Sequence, residues 1–158
     1  MDESIKNEQS RECLDYVEEI RREFSIKEKD PRQYSPLALA YIGDGIYDLV
    51  IRTMVVEQGN ARVNQLHKKV SNMVKASFQA QMIHKMQPYL TEEERSVYKR
   101  GRNAKSYTMA KNASVTDYRH ATGFEALMGY LYLAHQFSRI LELVKIGLEE
   151  ADEERKPI

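Results

Sequence analysis

Tryptophan is absent, cysteine occurs once, and glycine and proline number only 7 and 4 in 158 residues. A lone Cys13 cannot close an internal disulfide, which points to a reducing compartment such as the cytoplasm. Scarce glycine and proline argue against a strand-and-turn architecture, and plentiful Ala, Leu, Glu, Lys, Met and Gln favour helix. No apolar run approaches the roughly 20 residues that a membrane span needs. The opening MDESIKNEQS is too acidic and polar for a signal peptide. There is no GxxxxGK[ST] or GxGxxG to cradle a nucleotide. The four histidines, His67, His84, His120 and His135, have no zinc-site spacing. Net charge is also missing: 24 basic side chains balance 24 acidic ones, which argues against a uniformly basic nucleic-acid coat.

With 42% apolar and 30% charged residues the chain can bury one core. The zero charge is segregated. Residues 1–30 carry 6 basic and 10 acidic groups, and residues 31–58 carry 2 and 3. Residues 59–90 carry 5 basic groups and no acidic ones, residues 91–120 carry 7 and 4, and residues 121–158 carry 4 and 7. A basic centre of net +8 thus lies between acidic ends. On one face it suits a polyanion; alternatively, it pairs with the acidic ends in the fold.

Periodicity predicts helices throughout. Residues 8–25 carry a narrow apolar stripe, Cys13, Tyr16, Val17, Ile20 and Phe24, which must dock on something. Ser35 and Pro36 read as an N-cap with proline in the first turn. The stretch LALAYIGDGIYDLVIRT from Leu37 to Thr53 is apolar nearly all round and reads as the most buried helix, continuing to Glu57. A third helix is expected from Arg62 to Met86, with Val63, Leu66, Val70, Met73, Val74, Phe78 and Met82 inward and Lys68, Lys69, Lys75 and Lys85 outward. Thr91 and Glu94 fit a capping box that opens a short helix closed by Gly101. Residues 102–117 read as a loop, followed by helices from about Tyr118 to His135 and from Ser138 to Glu150.

Three places carry chemistry. Asp44, between Gly43 and Gly45 in the apolar helix, needs a partner, either a cationic side chain or a metal ion. Glu125 lies in a second apolar helix among Gly123, Ala126 and Gly129. Two such carboxylates converging between helices suit Mg²⁺, which takes one or two carboxylates with waters and phosphate oxygens. The other reading pairs Glu125 with a core Arg or His. The segment KRGRNAKSYTMAKN supplies Lys99, Arg100, Arg102, Lys105 and Lys111 to follow a phosphate backbone, or to be a solvated surface.

The stretches LALAYIGDGIYDLVIR and FEALMGYLYL resemble the two signature motifs of the ribonuclease III family in order and separation. LALAY, the KRGRNAKS segment and an end at Ile158 too early for a double-stranded-RNA-binding domain resemble its Mini-III subclass. The resemblance implies an all-α, ribonuclease III catalytic-domain-like helical bundle over residues 34–150, after a charged helix and connector at 1–33 and before a polar tail at 151–158. It implies a homodimer joined through the Leu37–Thr53 helix, and a Mg²⁺-dependent endoribonuclease that cuts double-stranded RNA in the 23S ribosomal RNA precursor. A ribosomal protein that presents the RNA is a further implied partner. Family glutamate and aspartate positions hold Ala40 and Thr122 here, so only Asp44 and Glu125 carry over as catalytic metal ligands, with Asp48 an outer contributor. They frame one Mg²⁺ rather than a fully occupied pair. A non-catalytic RNA-binding or ribosome-assembly module of the same fold, and a purely structural helical protein, are the competing readings.

Overall fold

A computed structural model describes residues 15–105 and 114–153, with side chains as far as Glu149. Cys13 and Lys111 lie outside those residues. The described elements are α1 (Tyr16–Glu23), a 3₁₀ turn (Pro31–Gln33), α2 (Pro36–Glu57), α3 (Val63–Val74), α4 (Ala76–Met86), a second 3₁₀ turn (Gln87–Tyr89), α5 (Glu92–Asn103), α6 (Val115–Leu133) and α7 (Phe137–Glu153). No strand occurs among the described residues, as the all-α expectation requires.

Local signals set several ends. Ser35 Oγ accepts from the Ala38 amide at 3.1 Å, with Pro36 at the first position of α2. Thr91 and Glu94 form the capping box of α5, with bonds of 2.8 and 3.1 Å. Ser114 caps α6 through the Asp117 amide.

The core forms where α2 crosses α6. A Cβ on Gly43 would sit 1.7 Å from the Glu125 carbonyl oxygen, and one on Gly129 would sit 2.0 Å from the Leu39 carbonyl oxygen. Glycine therefore sets the backbone separation at this crossing. Leu39, Tyr47, Phe124, Leu127, Met128 and Leu131 fill the surroundings, with the Tyr47 and Phe124 rings edge to face at 4.9 Å. α5 and α4 pack on α6, α3 on α2, and α7 on α4 and α6.

Four expectations are corrected. α2 is not buried all round: Tyr41, at 86% exposure, and Leu49 and Val56 face outward. The single helix from Arg62 to Met86 is broken at Lys75, whose φ of −68° and ψ of 154° are extended, and Val63 is exposed rather than inward. Gly101 does not end α5; it lets α5 approach Gly123 and Ala126 of α6, and the helix runs on to Asn103. Of the described residues of the α1 stripe only Val17 is buried, while Tyr16, Ile20 and Phe24 are exposed.

A carboxylate–guanidinium staple joins α5 to α7. Glu94 accepts two bonds of 2.9 Å from Arg139, which also donates to the Tyr89 carbonyl at 2.8 Å. Burial raises the Glu94 carboxyl, but the Arg139 guanidinium and the Thr91 amide outweigh it and hold the group below the ordinary carboxylate range.

Candidate active site

Asp44 leaves α2 next to Gly43, and Glu125 leaves α6 at the residue whose carbonyl Gly43 touches. The close crossing therefore places the two carboxyls within electrostatic reach of each other. Burial pushes the Glu125 carboxyl up to about 8, and the negative charge of Asp44 adds to that rise. Asp44 is raised too, by burial and then by the charge of Asp48, although its side chain stands on the exposed face of α2. Neither makes an ion pair among the described residues. Asp48 is different, being paired with Arg52 at 2.7 Å one turn further along α2. It is thereby neutralised locally, whereas Asp44 and Glu125 have no cationic partner among the described residues.

The sequence gives no hint of Gln79, in the first two turns of α4. It is 1% exposed, and its Nε2 donates to the Val74 carbonyl at 2.9 Å. Its amide offsets part of the rise at Glu125. Gln79 Oε1 is buried with no partner among the described residues. An orphaned acceptor beside two unneutralised carboxylates fits a hydrated divalent cation, whose water hydrogens suit the acceptor and whose charge offsets the carboxylates. The donor set is all oxygen, as Mg²⁺ prefers.

The basic residues sit on α5 and just beyond it. Lys99 and Arg100 are exposed and, with Arg95, Ser96 and Asn103, line a groove of about 800 Å³ against Pro36 at the start of α2. Asp44 lies eight residues down the same helix, about 12 Å along its axis. Arg102 turns aside: its guanidinium lies 5.6 Å from the centre of the Tyr98 ring and its Nε bonds Asn103. Lys105 is exposed in the connection after α5. The Tyr98 hydroxyl bonds His120 Nδ1, tying together the helices at either end of that connection.

A separate group, Asp15, Glu18 and His135, has the proximity of a metal cluster. Two of its three side chains, Asp15 and His135, are engaged otherwise. Asp15 caps α1 through the Glu18 amide and meets His135 Nδ1 at 2.9 Å, while Arg21 approaches His135 Nε2 at 3.5 Å. These contacts fasten α1 to the corner between α6 and α7.

Known proteins resemble the chain over most of its length. The model of the ribonuclease III domain matches residues 37–136. Mini-ribonuclease 3 of Clostridium tetani is 49% identical over 126 residues, covering 79% of this chain and 83% of that protein. Mini-ribonuclease 3 of Enterococcus faecalis is 49% identical over 127 residues, covering 79% and 96%. A Fusobacterium nucleatum protein solved by X-ray crystallography superposes with a TM-score of 0.70 at 32% identity, covering 78% of this chain and 99% of its own. With the family's domain matching residues 37–136 and the two Mini-ribonuclease 3 relatives 49% identical over 79% of the chain, the chain belongs to the ribonuclease III family.

Proposed function

We propose that this endoribonuclease cleaves double-stranded RNA in a Mg²⁺-dependent reaction, with Asp44 and Glu125 as the metal ligands. The observation that carries the reading is the pair itself: two carboxyls from different helices, both raised by burial and by nearby negative charge and without a cationic partner among the described residues. Bound between them, Mg²⁺ supplies a Lewis acid for the scissile phosphate and a water of lowered pKa. Lys99 and Arg100 hold the phosphate backbone in the groove beside α2, with Lys105, Arg102 and Lys111 serving the same strand. A-form duplexes are read by shape, phosphates and 2′-hydroxyls, so a basic surface without base-stacking aromatics is adequate.

A homodimer belongs to the same proposal. Tyr41, Leu49 and Val56 form an apolar edge on the free face of α2, and Val63, Leu66 and Val70 line a small adjoining groove of about 160 Å³. Asp44 borders that face, so a twofold pairing of α2 sets two carboxylate pairs against opposite strands of one duplex. The likeness to Mini-III enzymes supports the cytoplasmic 23S ribosomal RNA precursor as the physiological duplex, presented by a ribosomal protein.

The test is incubation of a long RNA duplex, its separated strands and a DNA duplex of the same sequence, with and without Mg²⁺. The proposal expects cleavage of the RNA duplex alone, only with Mg²⁺, and none by Asp44→Asn or Glu125→Gln. Binding without turnover under all metal conditions, the behaviour of a non-catalytic module, would refute it.

A further inference from the structure

The groove beside the start of α2 contains a side chain that a surface built for phosphate alone would not place there. Glu92, the first residue of α5, lines it together with Ser96, Lys99 and Arg100. A carboxylate repels phosphate, so its charge works against the two cations next to it. The first turn of α5 holds three glutamates, and two of them are otherwise occupied. Glu94 completes the capping box and meets Arg139, while Glu93 accepts from the Tyr130 hydroxyl at 2.7 Å. Glu92 is exposed and has no partner among the described residues. Arg95, three residues on and within reach of an ion pair, instead gives its guanidinium to the Gln87 and Leu90 carbonyls at 3.0 and 3.5 Å.

Ser96 follows one turn later on the same face, about 6 Å along the axis. A serine or threonine inside a helix can bond the carbonyl four residues back. Thr53 and Thr122 do so, to Leu49 and Tyr118 at 2.7 and 2.9 Å. The Ser96 hydroxyl makes no such bond among the described residues, and it is exposed in the groove. Lys99 and Arg100 come a further turn on. One face of α5 therefore offers an acceptor, a hydroxyl and then two cations. A carboxylate only accepts hydrogen bonds, whereas a serine hydroxyl both donates and accepts. Phosphate oxygens only accept, so they match Lys99 and Arg100 and have nothing to give Glu92. The ribose 2′-hydroxyl both donates and accepts, and it is the group that distinguishes RNA from DNA. Acidic side chains hold ribose hydroxyls in the same way in dinucleotide-binding folds.

We propose that Glu92 and Ser96 read a ribose 2′-hydroxyl of the duplex beside the phosphate held by Lys99 and Arg100, and so determine its specificity for RNA. The inference rests on the reading of this groove as the duplex-RNA site. A strand without the hydroxyl leaves both side chains unpaired against it, which penalises the wrong duplex.

The experiment measures binding by fluorescence anisotropy on the whole chain, at low salt in EDTA so that the strands stay whole. The probes are one RNA duplex and the same duplex with 2′-fluoro in place of every 2′-hydroxyl, which keeps the A-form and removes the donor. Wild type is compared with Glu92→Ala, Glu92→Gln, Ser96→Ala and Lys99→Ala, each checked by a thermal melt. Wild type should prefer the hydroxyl duplex. Glu92→Ala and Ser96→Ala should each cut that preference by about two- to tenfold, the worth of one hydrogen bond. Glu92→Gln, whose amide still accepts, should keep the preference and bind both duplexes more tightly. Lys99→Ala should weaken both alike and reduce the salt slope by about 1. Equal affinity of wild type for the two duplexes, or an undiminished preference in either folded alanine variant, overturns this proposal alone. Should Glu92→Ala not fold, Ser96→Ala decides, since alanine is favoured at an exposed helical position. Absence of binding to both duplexes, or wild-type binding in Lys99→Ala, overturns the reading of the groove beneath it.

Discussion

Replacing Gly43 with alanine tests the crossing on which the site is built. The added methyl falls 1.7 Å from the Glu125 carbonyl oxygen and 2.7 Å from the Gly129 nitrogen. A carbon and an oxygen ordinarily come no closer than about 3.3 Å, so roughly 1.6 Å must be found. The obstacle is helical backbone, which cannot rotate away, so α2 and α6 must part. Overpacking costs typically about 1–3 kcal/mol, and a backbone obstacle puts this case at the top of that range or beyond. Alanine regains about 1 kcal/mol of helix propensity, leaving a net loss of about 2 kcal/mol or more. At about 2–4 °C per kcal/mol for a chain of this size, the melting temperature falls by about 4–8 °C. Gly45, two residues away, is the control, since a Cβ there meets nothing within 4 Å. Gly45→Ala keeps the propensity gain and melts about 2–4 °C higher than wild type. The assay is a circular dichroism melt at one protein concentration, followed by Mn²⁺ titration, in which Gly43→Ala alone loses affinity. A Gly43→Ala protein that melts at or above wild type would refute the reasoning.

Three further outcomes follow from the same coordinates. Glu125 holds its proton more tightly folded than unfolded, so its contribution to stability is complete below the ordinary carboxylate range and is lost as pH rises through about 8. Metal-free protein should therefore lose stability as pH rises from the ordinary value of 4.5 to about 8 and level off above it, with a flatter profile for Glu125→Gln; identical slopes would contradict the assignment. Glu94 titrates with the opposite sign: its stabilisation is present above the ordinary carboxylate range and lost on acidification, and Arg139→Met, which strands the buried carboxylate, should cost about 3 kcal/mol in urea unfolding. Sedimentation should give twice the 18.4 kDa chain mass for wild type and a single mass for Leu49→Glu, whereas a monomeric wild type would remove the dimer from the account.

What the sequence made legible was local or periodic. The Ser35–Pro36 start, the Thr91–Glu94 box and the two apolar helices need only neighbouring residues, and the family motifs reside in those same helices. Longer-range causes stayed hidden. The break at Lys75 has no glycine or proline to announce it and depends on Tyr47, 26 residues before the carbonyl it binds. Gln79 sits among inward-facing apolar positions and reads as an interruption, although it is as buried as they are. Glycine was legible only as glycine: Gly101 looks like a helix stop and is a packing contact, and Gly43 and Gly45 look equivalent while only Gly43 meets another backbone. Hydropathy does not separate a face buried in the core from one left for a partner, which is why the Leu37–Thr53 stretch reads as the most buried helix although Tyr41 and Leu49 face outward. Arg139 and Glu94, 45 residues apart, have no shared sequence signal.

The central claim is that Asp44 and Glu125 converge on one divalent cation. Anomalous diffraction from a crystal soaked in Mn²⁺ tests it most directly. The account predicts one peak between the two carboxylates, at roughly 2.0–2.3 Å from an oxygen of each. A peak at Asp15, Glu18 and His135 instead, or none between Asp44 and Glu125 in a crystal whose protein cleaves RNA with Mn²⁺, would contradict it.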